Sequence, residues 1–173
     1  MKIIIILEDN NGKIHRMGLE SIVAAQKMTS DLNGTIGAVV IGKNADILAD
    51  EAATYKLDEV IKVKDSLLDN YSADGYAEAV KQVIEQENPT YVLFGHSYQV
   101  RDYAPKVSAK LMKPFLVDNV AVSINSGKPV FTKQMFNAKL FSDIHTNGEG
   151  PFLISFQSAA FSSDAINKGS AVI

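Results

Sequence analysis

Five successive aliphatic residues, Ile3 to Leu7, follow Lys2 with none of the alternation that marks a strand wetted on one side. A run of that length and evenness predicts a central parallel strand, Lys2 to Leu7, covered on both faces. Met17 to Leu32 is helix-compatible, and Asn33-Gly34 predicts a left-handed stop behind it. Thr35 to Ile41 reads as a second strand. Ala45, Leu48, Ala49 and Ala52 recur at helical spacing and lead to a strand from Glu59 to Val63. The clearest helix runs from Ala73 to Glu87, where Ala73, Tyr76, Ala77, Val80, Val83 and Ile84 form one stripe and Asn88-Pro89 ends it. Thr90 to Phe94 is the fourth strand, closed at Gly95. A further helix carries Ala104, Val107, Ser108 and Leu111, with Asp102 as its expected N-cap and Pro105 in its first turn.

The pattern changes after Phe115 to Val117, a short strand that enters Asp118-Asn119. Val120 to Ile124, Pro129 to Met135, Lys139 to Ile144 and Phe152 to Ser158 follow with no helix between them, separated by the turn chemistry of Asn125-Ser126-Gly127 and Asn147-Gly148-Glu149-Gly150. These four are expected as antiparallel strands extending the sheet. The β-α-β alternation of the first two thirds demands a parallel sheet, so the chain reads as one α/β domain over residues 1–173 with three layers. At the far end Ala171-Val172-Ile173 is too short for a normal strand, and the domain is expected to be the N-terminal part of a longer chain.

Composition narrows the chemistry. With 46% hydrophobic residues and 21% charged, 173 residues suffice for a real core. The absence of cysteine removes disulfides, thiolate metal sites, iron–sulfur clusters and a cysteine nucleophile. No apolar run is long enough to cross a membrane or to act as a secretion signal, so neither membrane insertion nor export is expected. A net charge of −3 gives no reason to expect a nucleic-acid partner. The charge is uneven, however: residues 1–88 hold 15 acids against 9 bases, net −6, and residues 89–173 hold 5 against 8, net +3. Solvated helix faces account for this most simply, and a basic face toward an acidic partner is the other reading.

In open parallel sheets ligands bind beyond the carboxyl ends of the strands. The loops there, Glu8 to Gly12, Gly42 to Asn44, Gly95 to Tyr98 and Asp118-Asn119, contain neither a dinucleotide fingerprint nor a P-loop. His15, His96 and His145 lack metal-ligand spacing. Gly95-His96-Ser97 suggests a serine hydrolase with Asp102 or Asp118 as orienter, yet a nucleophile elbow needs glycine where Gln99 stands. The alternative is a turn in which the Ser97 hydroxyl bonds the backbone. Asp50-Glu51 and Asp58-Glu59 are expected to be solvated. Arg101, near a helix start, requires an anion to offset the dipole: either a salt bridge to Asp102 or Asp118, or an intersubunit or ligand contact. Tyr98 and Tyr103 flank this pair as candidate interface anchors.

The stretch from Phe94 through Gly95, Ser97, Arg101, Asp102, Pro105 and Lys106 to Leu111, continuing to Asp118, resembles the alpha subunit of electron transfer flavoproteins in its N-terminal domain. Ile5 to Glu8 with Leu19-Glu20, the segment Glu51 to Tyr55, and Phe152 to Phe161 also look like that domain. Val100, Val117 and Gln157 depart from the usual glycine, serine and arginine. The resemblance implies a mostly parallel, nucleotide-binding-like sheet of the adenine nucleotide alpha hydrolase type. It implies a heterodimer with a beta subunit that accepts electrons from flavin dehydrogenases, such as the acyl-CoA dehydrogenases of fatty acid β-oxidation, and delivers them to a quinone reductase.

In that family FAD is held by the C-terminal part of the alpha subunit and AMP by the beta subunit, so no cofactor, metal or catalytic residue is expected within these residues. Gly95, Ser97, Arg101, Asp102, Pro105 and Asp118 are then loop or interface residues. Such a carrier works in the bacterial cytoplasm or the mitochondrial matrix. A second reading is a free-standing adenine-nucleotide-binding domain, with Glu8, Gly42 and the Gly95–Arg101 loop lining the pocket.

Overall fold

A computed structural model describes residues 1–173. In chain order the elements are β1 (Lys2–Leu7), α1 (Arg16–Asp31), β2 (Thr35–Ile41), α2 (Ala45–Ala52), β3 (Glu59–Val63), α3 (Ala73–Glu87), β4 (Tyr91–Gly95), α4 (Tyr98–Leu111), β5 (Phe115–Asn125), β6 (Lys128–Met135), β7 (Leu140–His145) and β8 (Phe152–Phe156). The strand order is β3-β2-β1-β4-β8-β5-β6-β7. Strands β3, β2, β1, β4 and β8 are parallel, with β5 parallel to β8 and β6 and β7 antiparallel. Helices α1 and α2 bury Ile22, Met28, Leu48 and Ala49 on one face of the sheet, against Ile3 and Ile5. Helices α3 and α4 bury Val80, Ile84, Val100 and Val107 on the other, against Ile4 and Ile6. Alternate isoleucines of β1 thus feed two cores, which is why the run shows no polar alternation.

Several expectations need correction. Phe152–Phe156 is not an antiparallel extension; it is a parallel strand inserted between β4 and β5, in register with both. Phe115–Val117 and Val120–Ile124 form one strand, whose register shifts near Asp118, a residue at φ 62°. Such a bulge bends a strand. Beyond it Val122 and, across on β6, Phe131 join the α1-side core; Phe131 lies 5.9 Å from the Tyr91 ring and 6.3 Å from that of Phe156. The antiparallel portion therefore folds back over the α1 face of the parallel sheet.

Helix α4 starts at Tyr98 with Ser97 as N-cap, five residues ahead of the expected cap Asp102. Pro105 consequently lies inside the helix rather than in its first turn, where it leaves the Arg101 carbonyl without an intrahelical donor. Asn33-Gly34 makes no left-handed stop, since the α1 cap Leu32 is extended. Gly34 serves a close approach instead, because a Cβ there would sit 2.7 Å from the Met1 carbonyl oxygen.

Glu51 and Asp58, expected in solvent, accept backbone N–H bonds from Ile14 and Ile36. The chain end makes no named strand. Residues 167–171 lie beside Ala53–Lys56, after α2, and Val172 reaches the outer edge of β3, with the Val60 N–H donating to the Val172 carbonyl at 2.7 Å and buried Gln26 bonded to both sides of Asn167.

Phe131 joins the folded-back strands to the parallel sheet, so Phe131→Ala is expected to lower the unfolding free energy by about 3–5 kcal/mol, the usual cost of a large core truncation. Urea denaturation followed by circular dichroism measures it; a loss under about 1 kcal/mol would mean that this packing does not hold the two portions together.

Candidate functional site at the strand ends

Strand β1 leads into a helix and then a strand on one side, and β4 leads into elements on the other, so the sheet's topological switch point falls between them. Ligands of open α/β sheets use that crevice. Here the ends of β1, β4, β5 and β8 line a cavity of about 650 Å³, the largest in the molecule, with Glu8, His96, Arg101, Asp118 and Gln157 on its walls.

The crevice is clasped from within. Ser97 caps α4, its Oγ accepting from the Val100 N–H at 3.1 Å, and its hydroxyl donates to Glu8 Oε2 in a short hydrogen bond. One hydroxyl thus ties the end of β1 to the start of α4. Beside it Gly95 lies against α1, where a Cβ would fall 2.5 Å from that of Met17 and 2.9 Å from the Met17 carbonyl carbon. Only glycine permits β4 to end so close to a helix.

His96 is fixed by two groups, one at its backbone N–H and one at its ring. Its N–H donates to the Phe156 carbonyl at 2.8 Å, and its Nδ1 lies 2.9 Å from Ser155 Oγ. Ser155 is fully buried, and its Oγ already accepts the Asp118 N–H at 3.0 Å. His96 Nδ1 is the only acceptor within reach of this buried hydroxyl, so the serine proton goes there, which leaves the imidazole hydrogen on Nε2. Burial lowers the His96 pKa below its ordinary 6.5; the Asp118 carboxylate opposes that, while Arg101 and Lys133 add to it. His96 is thus a neutral donor at neutral pH.

The Ser97–His96 pair of the hydrolase reading is not formed, because His96 bonds Ser155 and Ser97 bonds Glu8. The carboxylates, histidines and Arg101 do not assemble a metal site either: no cluster of three His, Cys, Asp or Glu side chains has a suitable arrangement.

Of the expected site residues, Gly95, Ser97, Arg101 and Asp118 come together at this end. Asp102 and Pro105 do not. Asp102 accepts from the Tyr71 hydroxyl at 2.8 Å, and burial together with this carboxylate raises the Tyr71 pKa. Gly42 lies apart, near Leu68 and Tyr76. Arg101 makes no salt bridge to Asp102 or Asp118; its guanidinium stacks on the Tyr98 ring, 5.4 Å from the centroid. Tyr98 is 87% exposed and Tyr103 only 2%, so of the two tyrosines Tyr98 alone faces outward. Glu20 had no expected role. It is 1% exposed, accepts the Ala159 N–H at 2.8 Å and lies 3.0 Å from Arg16 Nε, thereby pinning the loop after β8.

The profile of the electron transfer flavoprotein domain matches residues 3–173. The chain belongs to that family. An electron transfer flavoprotein subunit alpha of Bacillus subtilis is 35% identical over 143 residues, covering 83% of this chain and 43% of that protein. One from Syntrophomonas wolfei is 31% identical over 145 residues, 84% and 44%. A FixB protein of Azorhizobium caulinodans is 26% identical over 146 residues, 82% and 40%. The chain spans less than half the length of each. The stretch from Gly95 to Asp118 that carried the resemblance is, in this family member, the β4–α4–β5 unit around the clasp. No helix is long and apolar enough to cross a membrane.

Two outcomes follow for this electron transfer flavoprotein domain. Gly95→Ala should destabilise the fold by roughly 2–3 kcal/mol through overpacking against Met17, read from its urea midpoint; wild-type stability would remove the close-approach argument. For His96, the unfolded chain binds a proton that the native state refuses as pH falls below 6.5, so stability declines there and is unaffected by this group at higher pH. In His96→Asn, whose amide oxygen can still accept from Ser155, that acid-side decline should flatten. An NMR titration placing the wild-type imidazole above 6.5 would contradict it.

Proposed function

We propose that this chain is the N-terminal scaffold and subunit-docking domain of an electron transfer flavoprotein alpha subunit, a carrier rather than an enzyme. Its flavin would be held by residues outside those described here. The observation that carries the reading is the switch-point crevice, clasped by Ser97 and Glu8 and lined by carboxylates.

A flavin dinucleotide needs backbone N–H groups or cations for its pyrophosphate and a broad apolar wall for its ring. The crevice offers one cation, Arg101, stacked on Tyr98, but sets against it the Glu8 and Asp118 carboxylates, has only two hydrophobic lining residues, and at the start of α4 is closed by the Ser97–Glu8 clasp. These residues do not fit FAD, nor the phosphates of an adenine nucleotide. In this reading the partner is the beta subunit, the electrons come from flavin dehydrogenases and leave to a quinone reductase, and AMP stays with the beta subunit. The names of the relatives and the match over nearly the whole chain support it.

Residues 1–173, purified alone, should show no flavin absorbance, and should elute with purified beta subunit as a one-to-one complex in size-exclusion chromatography. A stoichiometric flavin spectrum would overturn the cofactor placement. A rise of several degrees in melting temperature on adding millimolar AMP or ATP would instead support nucleotide binding, because a ligand of the native state must stabilise it.

A further inference from the structure

The loops of this chain carry the same reactive dipeptide three times, as Asn11-Gly12, Asn33-Gly34 and Asn147-Gly148. In each an asparagine carboxamide is followed by a residue without Cβ, so no side chain shields the backbone nitrogen that can attack it. Sequence makes the three equivalent; the structure separates them.

Asn11-Gly12, in the loop after β1, is locked. The Gly12 N–H donates to Asp9 Oδ1 at 2.7 Å, and Asn10 and Lys13 on either side exchange backbone bonds of 2.7 and 3.3 Å. Asn33-Gly34, ahead of β2, is confined by packing. The next N–H, that of Thr35, donates to the Met1 carbonyl at 3.0 Å, and a Cβ on Gly34 would lie 2.7 Å from that same oxygen. Asn147-Gly148, between β7 and β8, is neither. Both residues are exposed, neither makes a hydrogen bond within the protein, and a Cβ on Gly148 would meet nothing within 4 Å.

The loop is fixed on either side of this pair and not at it. Thr146 Oγ1 lies 2.8 Å from the Tyr91 hydroxyl, and the Lys113 ammonium donates to the Glu149 and Gly150 carbonyls at 3.3 and 2.9 Å. Beyond the second anchor, the Phe152 N–H donates to the Thr90 carbonyl at 3.0 Å and β8 enters the sheet.

We propose that Asn147-Gly148 is a site of spontaneous deamidation, the one of the three that the folded protein leaves reactive. Solvent base takes the Gly148 amide proton, the nitrogen attacks Asn147 Cγ, and the Cγ–Nδ2 bond breaks with release of ammonia, closing a five-membered succinimide. Water opens the ring at either carbonyl: attack at Cγ leaves aspartate, and attack at the backbone carbonyl leaves isoaspartate, in which the chain runs through Cβ and Cγ. The sum is one water consumed and one ammonia released, with no change of oxidation state. Each product adds one negative charge to the loop. The anchors at Thr146 and Lys113 confine the change, so the protein stays folded and displays a β-linked aspartyl carboxylate to solvent. The partner that chemistry fits is a carboxyl methyltransferase that recognises isoaspartate.

The test is to incubate residues 1–173 at mildly alkaline pH, follow each site by peptide mass spectrometry, and count isoaspartate with an isoaspartyl carboxyl methyltransferase and labelled S-adenosylmethionine. Asn147 should convert first and Asn11 at least about 10-fold more slowly, the scale of one hydrogen bond to a carboxylate, with Asn33 between them. In urea the three rates should draw together. Asn147→Gln, which cannot close the five-membered ring, should lose most of the methyl acceptance, and the aged wild type should keep the circular dichroism and melting curve of the fresh protein. Conversion of Asn11 or Asn33 as fast as Asn147 in the folded chain would overturn the proposal, as would a ranking unchanged in urea, since neighbouring residues and not the fold would then set it. Unfolding on conversion would overturn the confinement by the two anchors.

Discussion

A carboxylate stands at the point where an open α/β sheet ordinarily receives its ligand, and the local structure is arranged around it. Glu8 ends β1, accepts the Ser97 hydroxyl, and through it is joined to the first turn of α4. The positive end of that helix, a place where helix N-termini commonly bind phosphate, is here occupied by the protein's own side chains. Gly95 completes the closure by letting β4 end against α1. The cavity that remains is walled by His96 as a neutral donor, by Arg101 and by two carboxylates, a mixture suited to polar protein contacts and poorly suited to a polyanion.

Much of the parallel half was legible because its information is local. Largely apolar runs specified β1, β2 and β4, and the stripe of Ala77, Val80 and Ile84 specified α3 to its last residue. Where pairing is decided by distant residues, the pattern misled. Phe152–Phe156 is a short apolar run behind a turn-rich segment, and nothing in it says that its neighbours are β4 and β5, or that it runs parallel to them. The start of α4 was misplaced because Ser97 and Asp102 are both capping residues and Pro105 favours a late start. Ser97 prevails because its hydroxyl has a second task at Glu8.

The site divides in the same way. Gly95, Ser97, Arg101 and Asp118 share one contiguous stretch of sequence with a recurring pattern, and they do converge. Asp102 belongs to the same stretch but lies on a different side of α4, which turns it to Tyr71. Glu20 could not be found from pattern alone: it occupies an ordinary position on an amphipathic helix, and its partner is a backbone N–H 139 residues away, exposed to it only because Ala159 is left-handed. The uneven charge was visible as arithmetic, yet the fold mixes it: Lys106 and Lys110 of the second half pair with Asp74 and Glu78 of the first, and the chain end lies beside β3.

The bend at Asp118 connects these features. Because β5 turns there and folds back over the α1 side, β6 must return toward the strand ends, where Lys133 pairs with Asn119 and contributes to the field at His96. The hairpin turn begins two residues later. The αL conformation of Asp118 and the buried bonds of Asn119 to the Leu116 and Ser155 carbonyls thus set how far the turn between β6 and β7 projects past the sheet. A strand continuing straight would have carried β6 and β7 away from the parallel sheet and left Phe131 without Tyr91 and Phe156 to pack against. The same residue at which the parallel pairing shifts register is therefore what gives the unpaired edge a rigid base in the core.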